Sequence, residues 1–224
     1  MVRAILDGRK TQTRRIVKLR DFRADHTPGY DWCFRGRFGC WSSWKHSEFV
    51  ARHCRYGQPG DRLWARESFK AEQISLEKTR EGGLPPLDEH RFRATIEYAA
   101  SPGEVLTRDV HLEHWRLWLE DGRKRWKPSI HMPRWASRIT LELTSVRVER
   151  LQEISEEDAK AEGAERASEP SDKPVYDSGG SCVYCPVQSY RTGFPQLWES
   201  INGPGSWDAN PWVWLLTFRR LEAE

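Results

Sequence analysis

Residues 137–151 read SRITLELTSVRVERL. Ile139, Leu141 and Leu143 alternate with polar residues, the period-two pattern of a half-buried strand. Val146 and Val148 continue the alternation in the opposite phase, so a turn or bulge is expected near Thr144–Ser145. The centre of the chain is therefore extended, not helical.

On the C-terminal side, SEEDAKAEG (155–163) reads as a short helix. Ser155 is its N-cap, Asp158 takes the capping-box position, acids fill the first turn and Gly163 closes it. Residues 165–181 are rich in Pro, Ser and Gly and read as a loop. FPQLWESING (194–203) gives a second helix and PWVWLLTFRRL (211–221) a final strand. On the N-terminal side, MVRAIL carries Val2, Ile5 and Leu6 on one helical face, with Gly8 placed to end it. RRIVKL (14–19), the run after the Pro-Gly turn in YGQPGDRLWARESF (56–69) and FRATIEYAA (92–100) read as strands. Residues 20–58 show no clean periodicity, and 75–91 hold Gly82-Gly83 and Pro85-Pro86, which indicates a loop.

Short strands far apart in sequence, with two or three short helices, point to an α+β fold: a small β-barrel decorated with helices. At 224 residues the chain suits one domain spanning 1–224, with loop insertions at about 20–58, 70–92 and 165–192. Neither GxGxxG nor GxxxxGK[ST] occurs, which argues against Rossmann and P-loop folds.

Twelve tryptophans are too many for a disordered chain and supply core, stacking platforms or interfaces. The net charge is only +3 but is unevenly spread. Residues 1–23 hold eight Arg/Lys against Asp7 and Asp21, and 116–138 hold seven against Glu120 and Asp121. Residues 149–172 hold nine acids against three bases. Basic blocks interleaved with Trp suit a phosphate-bearing partner, and equally suit solvated faces. The absence of a membrane-length apolar run or a signal-peptide core leads to the expectation of a cytoplasmic chain without a membrane partner. Five cysteines, an odd number, argue against a secreted disulfide framework.

ILDGRKTQTRR, YGQPGDRLWARE, the block from Ser129 to Gly163 and LWESINGPGSWDANPWVWLLTF together resemble the ASCH domain family, in its phage and prophage branch. The ordered pair GRKTxTRR and GDRLWxRE carries most of the likeness. The resemblance implies a PUA-like barrel, a fold associated with RNA and modified nucleotides. Relatives of this type place a short strand ahead of the segment matching MVRAIL; the expectation is either that the start site is internal or that the barrel is built without that strand and leaves an unpaired edge. The family includes amidohydrolases that remove the acetyl group of N4-acetylcytidine, using a lysine, a threonine three residues on and a glutamate from a later strand. The resemblance assigns these roles to Lys10, Thr13 and Glu67.

The chemistry is coherent with those residue types. Amide hydrolysis needs a nucleophile, a proton acceptor and stabilisation of the oxyanion. A threonine hydroxyl becomes nucleophilic when a base takes its proton, and a lysine serves when burial and nearby positive charge lower its pKa. Arg9, Arg14 and Arg15 supply such charge; Glu67 suits an orienting or hydrogen-bonding role. Lys10 and Thr13 share a face if the first helix continues, and also converge across a tight turn. The alternative has Lys10 and Arg14 gripping phosphate while Thr11 or Thr13 caps a helix.

A second candidate site is HMPRWASR (131–138). Trp64 and Trp135 are placed to sandwich a base, with Arg66, Arg134, Ser137 and Arg138 around them to read a base edge or phosphate. Alternatively Trp135 closes the barrel floor and Arg138 pairs with a surface carboxylate. Finally, CVYC (182–185) has the spacing of half a zinc site, and Cys33, Cys40, Cys182 and Cys185 form a candidate structural Zn set, against a reading as reduced thiols. No cofactor is expected for catalysis, since a zinc-deaminase pattern is absent. The partner is then a modified nucleoside or nucleotide acted on by a hydrolase. A non-catalytic RNA or modified-base module and a ribonuclease are the alternatives.

Overall fold

The computed structural model describes residues 1–76, 91–111, 125–169, 175–176, 182–183 and 187–221. They are mixed α+β, with mostly antiparallel sheets and few helices. The single domain expected from length divides into two compact units: one from 3–63 and 142–220, the other from 64–141.

The first unit is built on a sheet ordered β1-β14-β9-β5. Its strands are β1 (Gln12–Ile16), β5 (Arg62–Trp64), β9 (Thr140–Arg150) and β14 (Trp212–Leu221). β1 pairs antiparallel with β14 from Gln12↔Thr217 to Ile16↔Val213. No turn interrupts β9, which runs as one strand through Thr144–Ser145. Its buried residues change parity there, from Leu141 and Leu143 to Val146 and Val148, as in a strand covered on one face and then the other.

The helices α1 (Val2–Leu6), α3 (Glu156–Ala161) and α4 (Tyr190–Asn202) belong to this unit, and α2 (His46–His53) precedes β5. Ser155 caps α3 by accepting from Asp158 N, as expected, and Ser189 caps α4 by accepting from Thr192 N. Glu156 ties the two together, its carboxylate accepting from the backbone N–H groups of Tyr190 and Arg191 at 2.9 Å each. Those free N–H groups at a helix start hold the Glu156 carboxyl below the usual carboxylate range. The core beneath these helices joins Leu151, Ile154, Ala159, Phe194, Trp198 and Val213.

Residues 20–58 are more regular than their composition suggested. β2 (Arg23–Ala24), β3 (Trp32–Arg35) and β4 (Trp41–Trp44) form a three-stranded sheet followed by α2. Aromatic packing holds it: Phe22 stacks on Phe49 at 5.0 Å, Trp32 meets Trp212 edge-on at 4.9 Å, and Phe49 stacks on Trp214 at 5.2 Å. Period-two apolar alternation is absent because these short strands bury rings, not aliphatic rows.

The second unit contains the antiparallel sheet β6-β7-β8: Phe69–Leu76, Arg91–Tyr98 and Ser101–His111. Its core is Phe69, Ala94, Ile96, Tyr98, Met132 and Ala136, with Trp64, Leu106 and Trp135 packed against it. β8, polar and rich in exposed residues, gave no strand signal in the sequence. β10 (Ala167–Glu169) pairs with β13 (Val187–Ser189), and β11 (Val175–Tyr176) with β12 (Cys182–Val183). Among the described residues no helix is long and apolar enough to cross a membrane.

Candidate functional site

Lys10 is positioned by backbone. α1 stops at Leu6, Gly8 takes φ +71, and the chain doubles back so that Lys10 N donates to Ala4 O at 2.8 Å. Thr11 N then donates to Ala161 O, at the end of α3, and Phe218 N on β14 donates to Thr11 O. Lys10 is thus fixed beside the C-terminal end of α3 just before β1 begins. The helical spacing considered for Lys10 and Thr13 does not apply, because Thr13 lies in β1, opposite Leu216.

At that helix end stands Glu162, a residue missed in the sequence. Lys10 Nζ donates to the Glu162 backbone carbonyl at 2.7 Å and to its Oε2 at 2.5 Å, with both side chains about 5% exposed. Gly163 turns the chain here with φ +79, the left-handed conformation that favours glycine, and packs beside Ala4 and Lys10. A signal for Glu162 was present. A carboxylate in the last turn of a helix opposes the macrodipole, so an acid at that position implies a cation elsewhere in the fold.

Arg14 is the other cation of this cluster. Its fully buried guanidinium reaches Glu149 at 2.6 Å, Asp158 at 3.1 Å and Glu162 at 3.3 Å, and lies 5.7 Å from the Phe194 ring centre. Three carboxylates occupy it, so the reading of Arg14 as a phosphate grip is corrected: it is an internal ion-pair residue. Arg9 differs, being exposed and paired with Asp7 at 3.0 Å. Burial outweighs Glu162 at Lys10 and pushes its ammonium pKa below the ordinary lysine value, with Arg15 and Arg14 adding to the effect.

Lys10, Thr13, Arg14 and Glu162 line a cavity of about 230 Å³, closed by Phe194, Trp198 and their neighbours on α4. Its wall combines the Lys10–Glu162–Arg14 ion pairs with the aromatic rings of Phe194 and Trp198. Its volume falls below the ~300–1,000 Å³ typical of sites for drug-sized ligands, which suits a single base or acyl group.

Glu67 lies in the second unit, in the segment between β5 and β6 and not on a strand. It is buried and forms a two-pronged pair with Arg138 at 2.9 and 3.0 Å. Arg138 also donates to Ser101 Oγ at 3.2 Å, reaches Glu104 at 3.0 Å and lies 4.1 Å from the Tyr98 ring centre. These carboxylates raise the Arg138 pKa against the opposing effect of burial. Tyr98 donates its hydroxyl to Ala136 O at 2.8 Å, and burial pushes its pKa up to about 12. The carboxylate bonded to Lys10 is therefore Glu162, and Glu67 serves Arg138.

Trp64 is flanked by Arg66 and Arg134, 4.8 and 5.9 Å from its ring centre, and packs with Trp135 on the second unit's core. Arg66 also donates to Ile130 O, and Arg134 to Thr140 Oγ1. Ser137 is buried and its hydroxyl donates to Ala65 O at 2.9 Å, so it braces backbone. Of the candidate zinc ligands, Cys33 is buried and its thiol meets Ala24 O at 3.9 Å, while Cys40 is exposed. Cys185 lies outside the described residues, as does the Cys182 side chain, and no metal-binding cluster occurs among the described residues.

No family model, curated protein or solved structure matches the chain.

Proposed function

We propose that the Lys10–Glu162 cavity is a hydrolase site that cleaves the N4-acyl amide of a modified cytosine nucleoside or nucleotide. The observation that carries this reading is a buried lysine with a lowered pKa, lining one cavity with Thr13 and an aromatic wall. The likeness of GRKTQTRR and GDRLWARE to ASCH amidohydrolases, with the PUA-like barrel it implies, supports the same reading.

In the proposed reaction the base lies against the Phe194–Trp198 wall with its acyl group toward Lys10. Neutral Lys10 Nζ takes the proton of Thr13 Oγ as that oxygen attacks the acyl carbonyl. The C–N bond then breaks, Lys10 returns the proton to the leaving cytosine nitrogen, and water hydrolyses the acyl-threonine to free acid. Glu162 takes the role expected of Glu67, holding Lys10 in place and accepting a hydrogen bond from the cytosine amino group.

Incubation with N4-acetylcytidine, followed by chromatography of cytidine released, tests the reading. Lys10→Ala should lose on the order of 10²–10⁴-fold in rate. Thr13→Ala should lose a similar factor; turnover that survives it transfers the nucleophile to a water activated by Lys10. Absence of turnover by the wild type, with cytidine or RNA still bound, leaves the non-catalytic module.

A further inference from the structure

A second cavity of about 430 Å³ adjoins the first, sharing Met1, Ala4, Gly163 and Leu197 in its walls. Its character is different. Arg3, Arg9 and Arg166 line it, with Glu165 the one acid in its wall. All three arginines are solvent-exposed. They come from three separate segments: α1, the turn before Lys10 and the stretch after α3. Arg9 is ion-paired with Asp7 at an exposed position, where such a pair is weak and can exchange for another anion, and Arg166 lies 4.9 Å from the Tyr190 ring centre, which limits its guanidinium's freedom.

Two cavities meeting at Gly163, one base-sized and aromatic, one wide and cationic, match the two ends of a nucleotide. From this juxtaposition we infer that the arginine-lined cavity is a phosphate subsite, so that the molecule seated beside Lys10 carries a phosphate on its ribose. Guanidinium groups recognise phosphate oxygens by paired charge-assisted hydrogen bonds, and an open rim lets a phosphate enter still partly hydrated. Arg14, next door, is excluded from this role because Glu149, Asp158 and Glu162 already surround it. The inference rests on the cytosine-site reading for the base, but the phosphate contact is tested without turnover.

Cytidine, cytidine 5′-monophosphate and a trinucleotide with a central cytidine are titrated against the full chain by NMR at low salt. The monophosphate should bind about tenfold tighter than cytidine, the gain of one or two hydrogen bonds to a charged group. If the trinucleotide alone gains, the phosphate recognised is a backbone diester. In Arg3→Gln/Arg166→Gln, a double change of exposed side chains, the gain should fall to threefold or less. Equal affinities in the wild type, or a tenfold gain persisting in the double variant, would overturn the inference. Deacylation is scored separately on N4-acetylcytidine and its 5′-monophosphate. Phosphate preference without turnover sinks the hydrolase reading and keeps the subsite; turnover without preference does the reverse.

Discussion

Lys10, Glu162 and Arg14 act as one charged unit, because Glu162 lies between two buried cations. Removing its charge leaves both partly uncompensated in a desolvated setting. Glu162→Gln should therefore cost about 3–5 kcal/mol in urea unfolding, the usual cost of breaking a buried pair. A loss below about 1 kcal/mol would mean that water reaches the cluster. Lys10 also gives a pH signature. Its folded pKa lies below that of an unfolded lysine, so between the two values the unfolded chain holds more protons. Stability contributed at this site then rises with pH across that alkaline window, and is flat below it. Urea midpoints against pH should lose this rise in Lys10→Met. In the proposed hydrolysis the same deprotonation should appear as a rate increasing with pH at values lower than an ordinary lysine requires.

At the scale of elements, α3 and α4 make the site, and close backbone approach sets how near they lie. A Cβ at Gly193 in α4 would fall 1.8 Å from Glu165 O and 3.4 Å from Ala167 N. Backbone cannot yield as a side-chain tip does, so Gly193→Ala should cost about 3 kcal/mol and deform the cavity wall. Thermal unfolding and nucleoside binding together check this: a stable variant that binds normally would show that α4 can shift. Helix α3 was legible from Ser155, its acids and Gly163, since capping and dipole effects are local. Likewise the alternation of 139–148 announced β9. By contrast, the sheet of β2–β4 was not legible, because rings from distant segments replace the aliphatic periodicity that marks a strand. The start of α4 at Tyr190 was also missed. Pro195 inside the helix made FPQLWESING look like its beginning, whereas Ser189 caps it.

Across the molecule, the two basic blocks suited a phosphate-bearing partner and solvated faces equally. The N-terminal basic block is in part consumed internally, since Lys10 and Arg14 pair with Glu149, Asp158 and Glu162 of the acid-rich segment. Polynucleotide binding should accordingly depend on salt less than eight N-terminal cations would suggest. With about 0.7 counterion released per contact on a single strand, the six cations left when Lys10 and Arg14 are paired give a log–log slope near −4, and all eight about −6. A measured slope near −6 would show that the buried pairs open on binding. The sequence alone determined the α+β class and the local elements bounded by caps and turns, while Lys10 and Thr13 were candidates only through the family resemblance. Those elements depend on neighbours within a turn or on strand alternation. Only the tertiary structure decided which carboxylate meets Lys10, that Glu67 serves Arg138, and that Arg14 is internal. The reason is physical: a buried charge must find its partner in space, and Glu162 lies 152 residues away along the chain.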